Sequence, residues 1–176
     1  MTHSNMTISD KKDIVNAFAD HFASVYENKS NCLLNTLEEI PDFAELNITS
    51  FKFSILEILE SLNNVDLSKG AGPDGLTPKF LKNCFFSLSR PLWLIFNESI
   101  ASGVFPDYWK TSYISPIFKN GGKRNCVSDY RPISKISVIP KIMESLITNF
   151  LKNSFKNIII SNQHGFTKGR SITTIY

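Results

Sequence analysis

Between residues 112 and 138 the hydrophobic pattern changes period, and this change limits what the chain can fold into. Ser112 to Lys119 (SYISPIFK) alternates and is rich in β-forming residues, and Tyr130 to Val138 (YRPISKISV) again reads as extended. Gly121, Gly122 and a polar run separate the two. Two extended runs around a glycine-containing loop predict a β-hairpin at about 112–138. Pro116 and Pro132 each remove a backbone donor, so the strands must be short or edge-like.

The rest of the chain reads as helix and loop, which makes the expected class α+β and mostly helical. Ile14, Val15, Phe18, Phe22, Val25 and Tyr26 recur at helical spacing over residues 11–28, and Ser9 or Asp10 could cap the start. Residues 29–50 are a mixed polar connector. A second helix is predicted over 51–63, with Ile55, Leu56, Leu59 and Leu62 on one face. Gly70 to Pro78 is a turn-rich loop. Residues 78–102 read as one or two helices broken before Pro91, ending at Gly103. Pro140 opens a further helix carrying Ile142, Met143, Leu146, Ile147, Phe150 and Leu151. Two parts follow: a helical linker or arm at 1–50, and a domain from 51 to 176.

Composition removes several classes. The chain has 176 residues, 42% hydrophobic and 20% charged, with fourteen Phe, which is enough for a core without staples. No apolar run is long enough to span a bilayer, and no apolar signal segment follows Met1. Cys32, Cys84 and Cys126 are odd in number and far apart, which suggests neither zinc nor a disulfide framework. A reducing intracellular compartment is expected, and cytoplasm and nucleus both fit.

Charge is uneven. Residues 1–50 hold 3 basic and 8 acidic side chains, whereas residues 101–176 hold 11 basic and 3 acidic ones. A basic half fits either a polyanionic partner or a plain solvated face. Lys119 and Arg131 flank the loop of the predicted hairpin, twelve residues apart. A Lys point charge beside an Arg fork suits a polyphosphate, and also describes two ordinary surface cations. The segment GAGPDG (70–75) lacks the Gly-Lys-Ser/Thr ending of a phosphate loop, and its Asp74 reads as a turn residue. QHGFTKGRS (163–171) mixes glycine, cations and an aromatic, a composition suited to a nucleic-acid backbone or to a surface loop. No nucleophile–base pair or two-carboxylate arrangement stands out.

In order, GPDGLTPKFLK (72–82), YISPIFKNGG (113–122), DYRPIS (129–134), KIMESLI (141–147) and QHGFTKGRS (163–171) resemble the reverse transcriptase of non-LTR, LINE-like retrotransposons, especially jockey-type elements. The resemblance covers roughly residues 50–176. Residues 8–28 are similar to the helical stretch that this family places between endonuclease and polymerase. The resemblance implies part of a right-hand polymerase: the fingers and the approach to the palm. It implies that Lys119 and Arg131 hold the incoming triphosphate. It places Gln163, Gly165, Phe166, Gly169 and Arg170 in a loop near template and nucleotide, and Gly72, Pro73, Asp74 and Gly75 in a structural turn near the template path.

The family activity implied is RNA-directed DNA synthesis, with an RNA template, a DNA primer, deoxynucleotide triphosphates and Mg2+ as partners. The family's catalytic aspartates, including an aromatic-Ala-Asp-Asp motif, lie beyond the Gly-Arg-Ser segment, and the chain stops at Tyr176 before both. We therefore expect no catalytic or metal-binding residue here, no bound Mg2+, no activity of the chain alone, and a missing palm and thumb. A nucleic-acid-binding fragment without catalysis and a degenerate, nonfunctional element product are the competing expectations.

Overall fold

A computed structural model describes residues 2–3, 6–25 and 51–155. The chain is mixed helix and strand, consistent with the α+β expectation. The described residues divide into two compact units, one containing those of 2–25, 72–75 and 107–137, the other 51–71, 76–106 and 138–155. Among the described residues no helix is long and apolar enough to cross a membrane.

The first unit is built from helix α1 (Lys11–Ser24) and strands β1 (Thr2–His3), β2 (Met6–Thr7), β3 (Tyr113–Phe118) and β4 (Tyr130–Lys135). The Asp10 carboxylate caps α1 by accepting from the Lys12 and Asp13 amides, which satisfies two of the donors a helix start leaves open. Ala17 and Phe18 turn inward and bury with Val127, and Ile8, Ile14, Phe22 and Tyr130 pack around them. Phe18 meets Tyr130 edge-on, with ring centroids 5.0 Å apart.

β3 and β4 pair antiparallel, from Tyr113 opposite Lys135 to Phe118 opposite Tyr130. In this register Pro116 faces Pro132. Neither proline has an N–H, so the pair sits where opposed residues exchange no hydrogen bond. The missing donors then point outward, one on each free edge, and discourage a third strand from adding. The sequence shows two interruptions; the register turns them into one facing pair.

The Gly72–Gly75 turn also belongs to this unit. Gly75 N–H donates to the Gly72 carbonyl (3.1 Å), and Gly75 has φ +71°, a left-handed conformation that glycine adopts without steric cost. Local bonds alone, which the sequence suggests, do not hold the turn. The Asp74 N–H donates to Ser137 Oγ (3.3 Å), 63 residues away. A Cβ at Gly72 would lie 2.7 Å from the Ser137 nitrogen and 2.8 Å from its hydroxyl. Gly72→Ala is therefore expected to cost about 1–3 kcal/mol, the usual range for overpacking. A Cβ at Gly70 would meet nothing within 4 Å, and its φ is not positive, so alanine there should change stability by no more than about 1 kcal/mol. Urea denaturation midpoints of the two variants check the contrast.

The second unit packs α2 (Ile55–Asn63), α3 (Pro78–Asn83), α4 (Phe85–Ser102) and α5 (Val138–Ser154). Three readings of these helices need correction. In α2 the buried residues are Ile58 and Leu62, while Ile55 and Leu56 are exposed. The cause is the start: Ser54 and Glu57 form a reciprocal capping box, which places Phe53 just before the cap and Ile58 at its staple position. Both are buried. Second, the break in 78–102 falls at Cys84, and Pro91 lies inside α4. The proline leaves the Ser87 carbonyl without its intrahelical donor, a cost that continuous burial of Ser89, Leu92, Phe96 and Ser99 along α4 offsets. Third, α5 begins at Val138, with Pro140 in its first turn, where no intrahelical donor is required.

Phe53 ties the unit together. Its carbonyl accepts from Trp93 Nε1 (2.8 Å) and Asn97 Nδ2 (3.2 Å), and its N–H donates to Asn97 Oδ1 (2.9 Å). An aromatic chain runs Phe150–Phe51–Phe53–Phe96, with centroid spacings of 4.3, 4.9 and 5.3 Å. Gly103, at φ +68°, closes α4 as expected. After α2, Asp66 accepts from the Ser68 hydroxyl (2.6 Å) and amide (2.9 Å). These bonds, with Lys69 beside them, hold its carboxyl below the usual carboxylate range.

Candidate functional site

Lys119 leaves the end of β3 and Arg131 sits one residue into β4. Ile117 pairs with Arg131, and the Lys119 N–H donates to the Asp129 carbonyl (2.8 Å), one step further along the same register. Side chains of alternate residues share a face, so Lys119 and Arg131 lie on one face as diagonal neighbours. Long side chains at such positions reach each other's surroundings. The hairpin thus brings together the two cations that the sequence singles out.

The loop between them is closed on itself. Gly121 takes φ +93°, and Gly122 N–H donates to the Lys119 carbonyl (3.4 Å). Asp129 folds its carboxylate back onto the Lys123 amide (2.7 Å). Cys126 N–H donates to the Lys123 carbonyl and Asp129 N–H to the Cys126 carbonyl. The Tyr130 hydroxyl donates to the Arg124 carbonyl (2.8 Å), and the Arg124 guanidinium lies 5.3 Å over the Phe118 ring. A loop with its polar groups satisfied internally holds its flanking residues in place.

Lys119 Nζ donates to the Ser128 carbonyl (2.8 Å). An ammonium has three donors, so the bond orients the charge without exhausting it. Among the described residues neither Lys119 nor Arg131 is in an ion pair; the pairs there are Lys69–Asp66 and Lys110–Asp107. A point charge and a fork on one face are the side-chain types that suit a polyphosphate.

Both cations border a cavity of about 380 Å³, completed by Tyr130 and Pro132 from β4 and by His21, Phe22 and Val25 from the end of α1. All these residues belong to the first unit. The sequence presents α1 as part of a separate arm and does not connect it with the hairpin. Its one available signal is the apolar stripe reaching Phe22 and Val25, which needs a partner.

Gly72, Pro73, Asp74 and Gly75 form the turn described above, within the same unit. Gln163, Gly165, Phe166, Gly169 and Arg170 lie outside the described residues. Among the described residues no three His, Cys, Asp or Glu side chains come close enough to hold a metal ion.

No protein-family model matches the chain. Curated relatives do. The probable RNA-directed DNA polymerase from transposon BS of Drosophila melanogaster is 27% identical over 168 residues, covering 92% of this chain and 18% of the relative. The RNA-directed DNA polymerase from mobile element jockey of the same fly is 35% identical over 95 residues, covering 54% and 10%. The probable RNA-directed DNA polymerase from transposon X-element is 27% identical over 153 residues, covering 85% and 17%. The resemblance read from the five ordered motifs is thereby borne out. The chain spans less than a fifth of the length of these relatives.

Proposed function

We propose that this chain is a segment of the RNA-directed DNA polymerase of a jockey-type retrotransposon, the fingers and the approach to the palm, and that it contributes the triphosphate-holding cations. One observation carries the reading: a single hairpin register places Lys119 and Arg131 on one face at the border of one cavity, with neither charge paired among the described residues. The three Drosophila relatives, named as RNA-directed DNA polymerases or probable ones, support it.

In the complete enzyme the primer 3′-hydroxyl attacks the α-phosphate of the nucleotide. Lys119 and Arg131 position the triphosphate and balance its charge as the pyrophosphate departs, a role of placement and electrostatics. In this reading Gly72, Pro73, Asp74 and Gly75 are a structural turn near the template path, and Gln163, Gly165, Phe166, Gly169 and Arg170 belong to a loop near template or nucleotide. Mg2+ belongs to the carboxylates of the full polymerase. No Asp-Asp pair occurs anywhere in the 176 residues, which underlies the proposal that the chain alone has no polymerase activity.

Calorimetric titration of the purified chain with dATP is the test. Saturable binding that weakens as salt rises is expected, because the attraction is between charges that solvent and salt reach. Primer extension on an RNA template should give no product. No dATP binding, combined with salt-dependent RNA binding, would favour a noncatalytic nucleic-acid-binding fragment instead. That alternative draws on the basic excess of residues 101–176. A primer-extension product lost on alanine replacement of Lys119 and Arg131 would overturn the inactivity.

A further inference from the structure

The cavity beside Lys119 and Arg131 has two chemically different walls. The hairpin wall supplies both cations. The α1 wall supplies His21, Phe22 and Val25, an imidazole, a phenyl and an isopropyl group. His21 and Phe22 are half-buried and their ring centroids lie 5.7 Å apart. Phe22 is held by the core around Phe18, at 5.7 Å from that ring. Val25 is 70% exposed, an apolar side chain at the cavity edge.

The helix itself adds a second constraint. The cavity lies at the carboxyl end of α1, where unsatisfied carbonyls carry a partial negative charge. Ser24 Oγ–H donates to the His21 carbonyl (2.8 Å), satisfying one of them. That end is a poor seat for phosphates and a good one for a flat, neutral ring system resting on aromatic and aliphatic groups. A volume of about 380 Å³ falls within the range of small-ligand cavities.

From these two walls we infer that α1 forms the nucleoside half of the nucleotide site: the base and sugar of a nucleoside triphosphate rest on His21, Phe22 and Val25 while its phosphates reach Lys119 and Arg131. This rests on the reading of Lys119 and Arg131 as triphosphate ligands. It makes the N-terminal helix part of the substrate site instead of a connector preceding it.

The test uses the 176-residue chain and two probes, dATP and inorganic tripolyphosphate. In the wild type dATP binds at least tenfold more tightly than tripolyphosphate. The double substitution His21→Ala with Val25→Ser removes two wall groups and leaves Phe22 in the core. It weakens dATP about tenfold or more, the scale of a lost base–aromatic stack, and changes tripolyphosphate less than about twofold. Val15→Ser, an equally exposed valine on the same helix away from the cavity, changes neither. Lys119→Ala weakens both probes. Equal binding of the two probes by the wild type, or a double variant with unaltered dATP affinity, overturns the inference. If Lys119→Ala still weakens both probes in that case, the triphosphate reading survives. If neither probe binds the wild type, the triphosphate reading fails and the inference falls with it. A circular-dichroism melt that matches the wild type confirms that each variant is folded.

Discussion

Alanine at both Lys119 and Arg131 is expected to abolish measurable binding of dATP by this chain. Hydrogen bonds to charged groups contribute about 1.5–3 kcal/mol each, so one cation is worth roughly 10- to 150-fold in affinity. Losing both should exceed a hundredfold, even if the two effects are not additive because they share one ligand. Arg131→Lys should restore only part of the loss, since a point charge cannot reproduce the two parallel bonds of a guanidinium fork. Fold should be unaffected. Arg131 is exposed, and among the described residues the Lys119 ammonium donates only to the carbonyl of Ser128, itself an exposed residue. Calorimetry of wild type, both single variants and the double variant measures the series. Equal affinity across all four would remove the two cations from the site.

Phe96→Ala is expected to be the most destabilising single change in the second unit. Phe96 has no exposed surface, sits mid-way along α4 and packs edge-on against Phe53 at 5.3 Å. Truncating a buried Phe typically costs about 3–5 kcal/mol, from lost transfer energy and the cavity left behind. Against a total stability of about 5–15 kcal/mol for a domain, that is enough to leave a substantial unfolded fraction in mild urea. Phe53 would lose a ring neighbour while keeping its backbone bonds to Trp93 and Asn97, so local helix structure should outlast the tertiary melt. Urea titrations followed by tryptophan fluorescence and by far-ultraviolet circular dichroism check both points. An unfolding free energy within about 0.5 kcal/mol of the wild type would mean that the aromatic chain is not the core of this unit.

These expectations draw unequally on what the sequence discloses. Local chemistry is legible. Asp10 caps α1, Gly103 ends α4, and the period change at Ser112 marks the hairpin, because each is decided by a few adjacent residues. The shared face of Lys119 and Arg131 is legible for the same reason, since a short hairpin has few registers. The inward face of α2 is misjudged from its apolar residues, although Ser54 and Glu57 spell out a capping box; the start of the helix, not its count of apolar residues, sets which side turns in. Pro91 misleads because local steric preference predicts a break, while burial along α4 overrides it. The bond from Asp74 to Ser137 and the meeting of α1 with Tyr130 join residues 63 and more than 100 positions apart. Nothing in the composition of either segment specifies its partner. The cavity is hidden for that reason: one of its two walls comes from the end of a helix that the sequence presents as an arm.

The most direct test of the central claim is photoaffinity labelling of the 176-residue chain with 8-azido-dATP, followed by peptide mapping. Our account predicts adducts confined to peptides containing Lys119 to Pro132 and His21 to Val25, suppressed by unlabelled dATP and lost in the Lys119→Ala, Arg131→Ala double variant. Labelling confined to peptides from residues 76–106 or 138–155, or spread along the chain and insensitive to competing dATP, would contradict it.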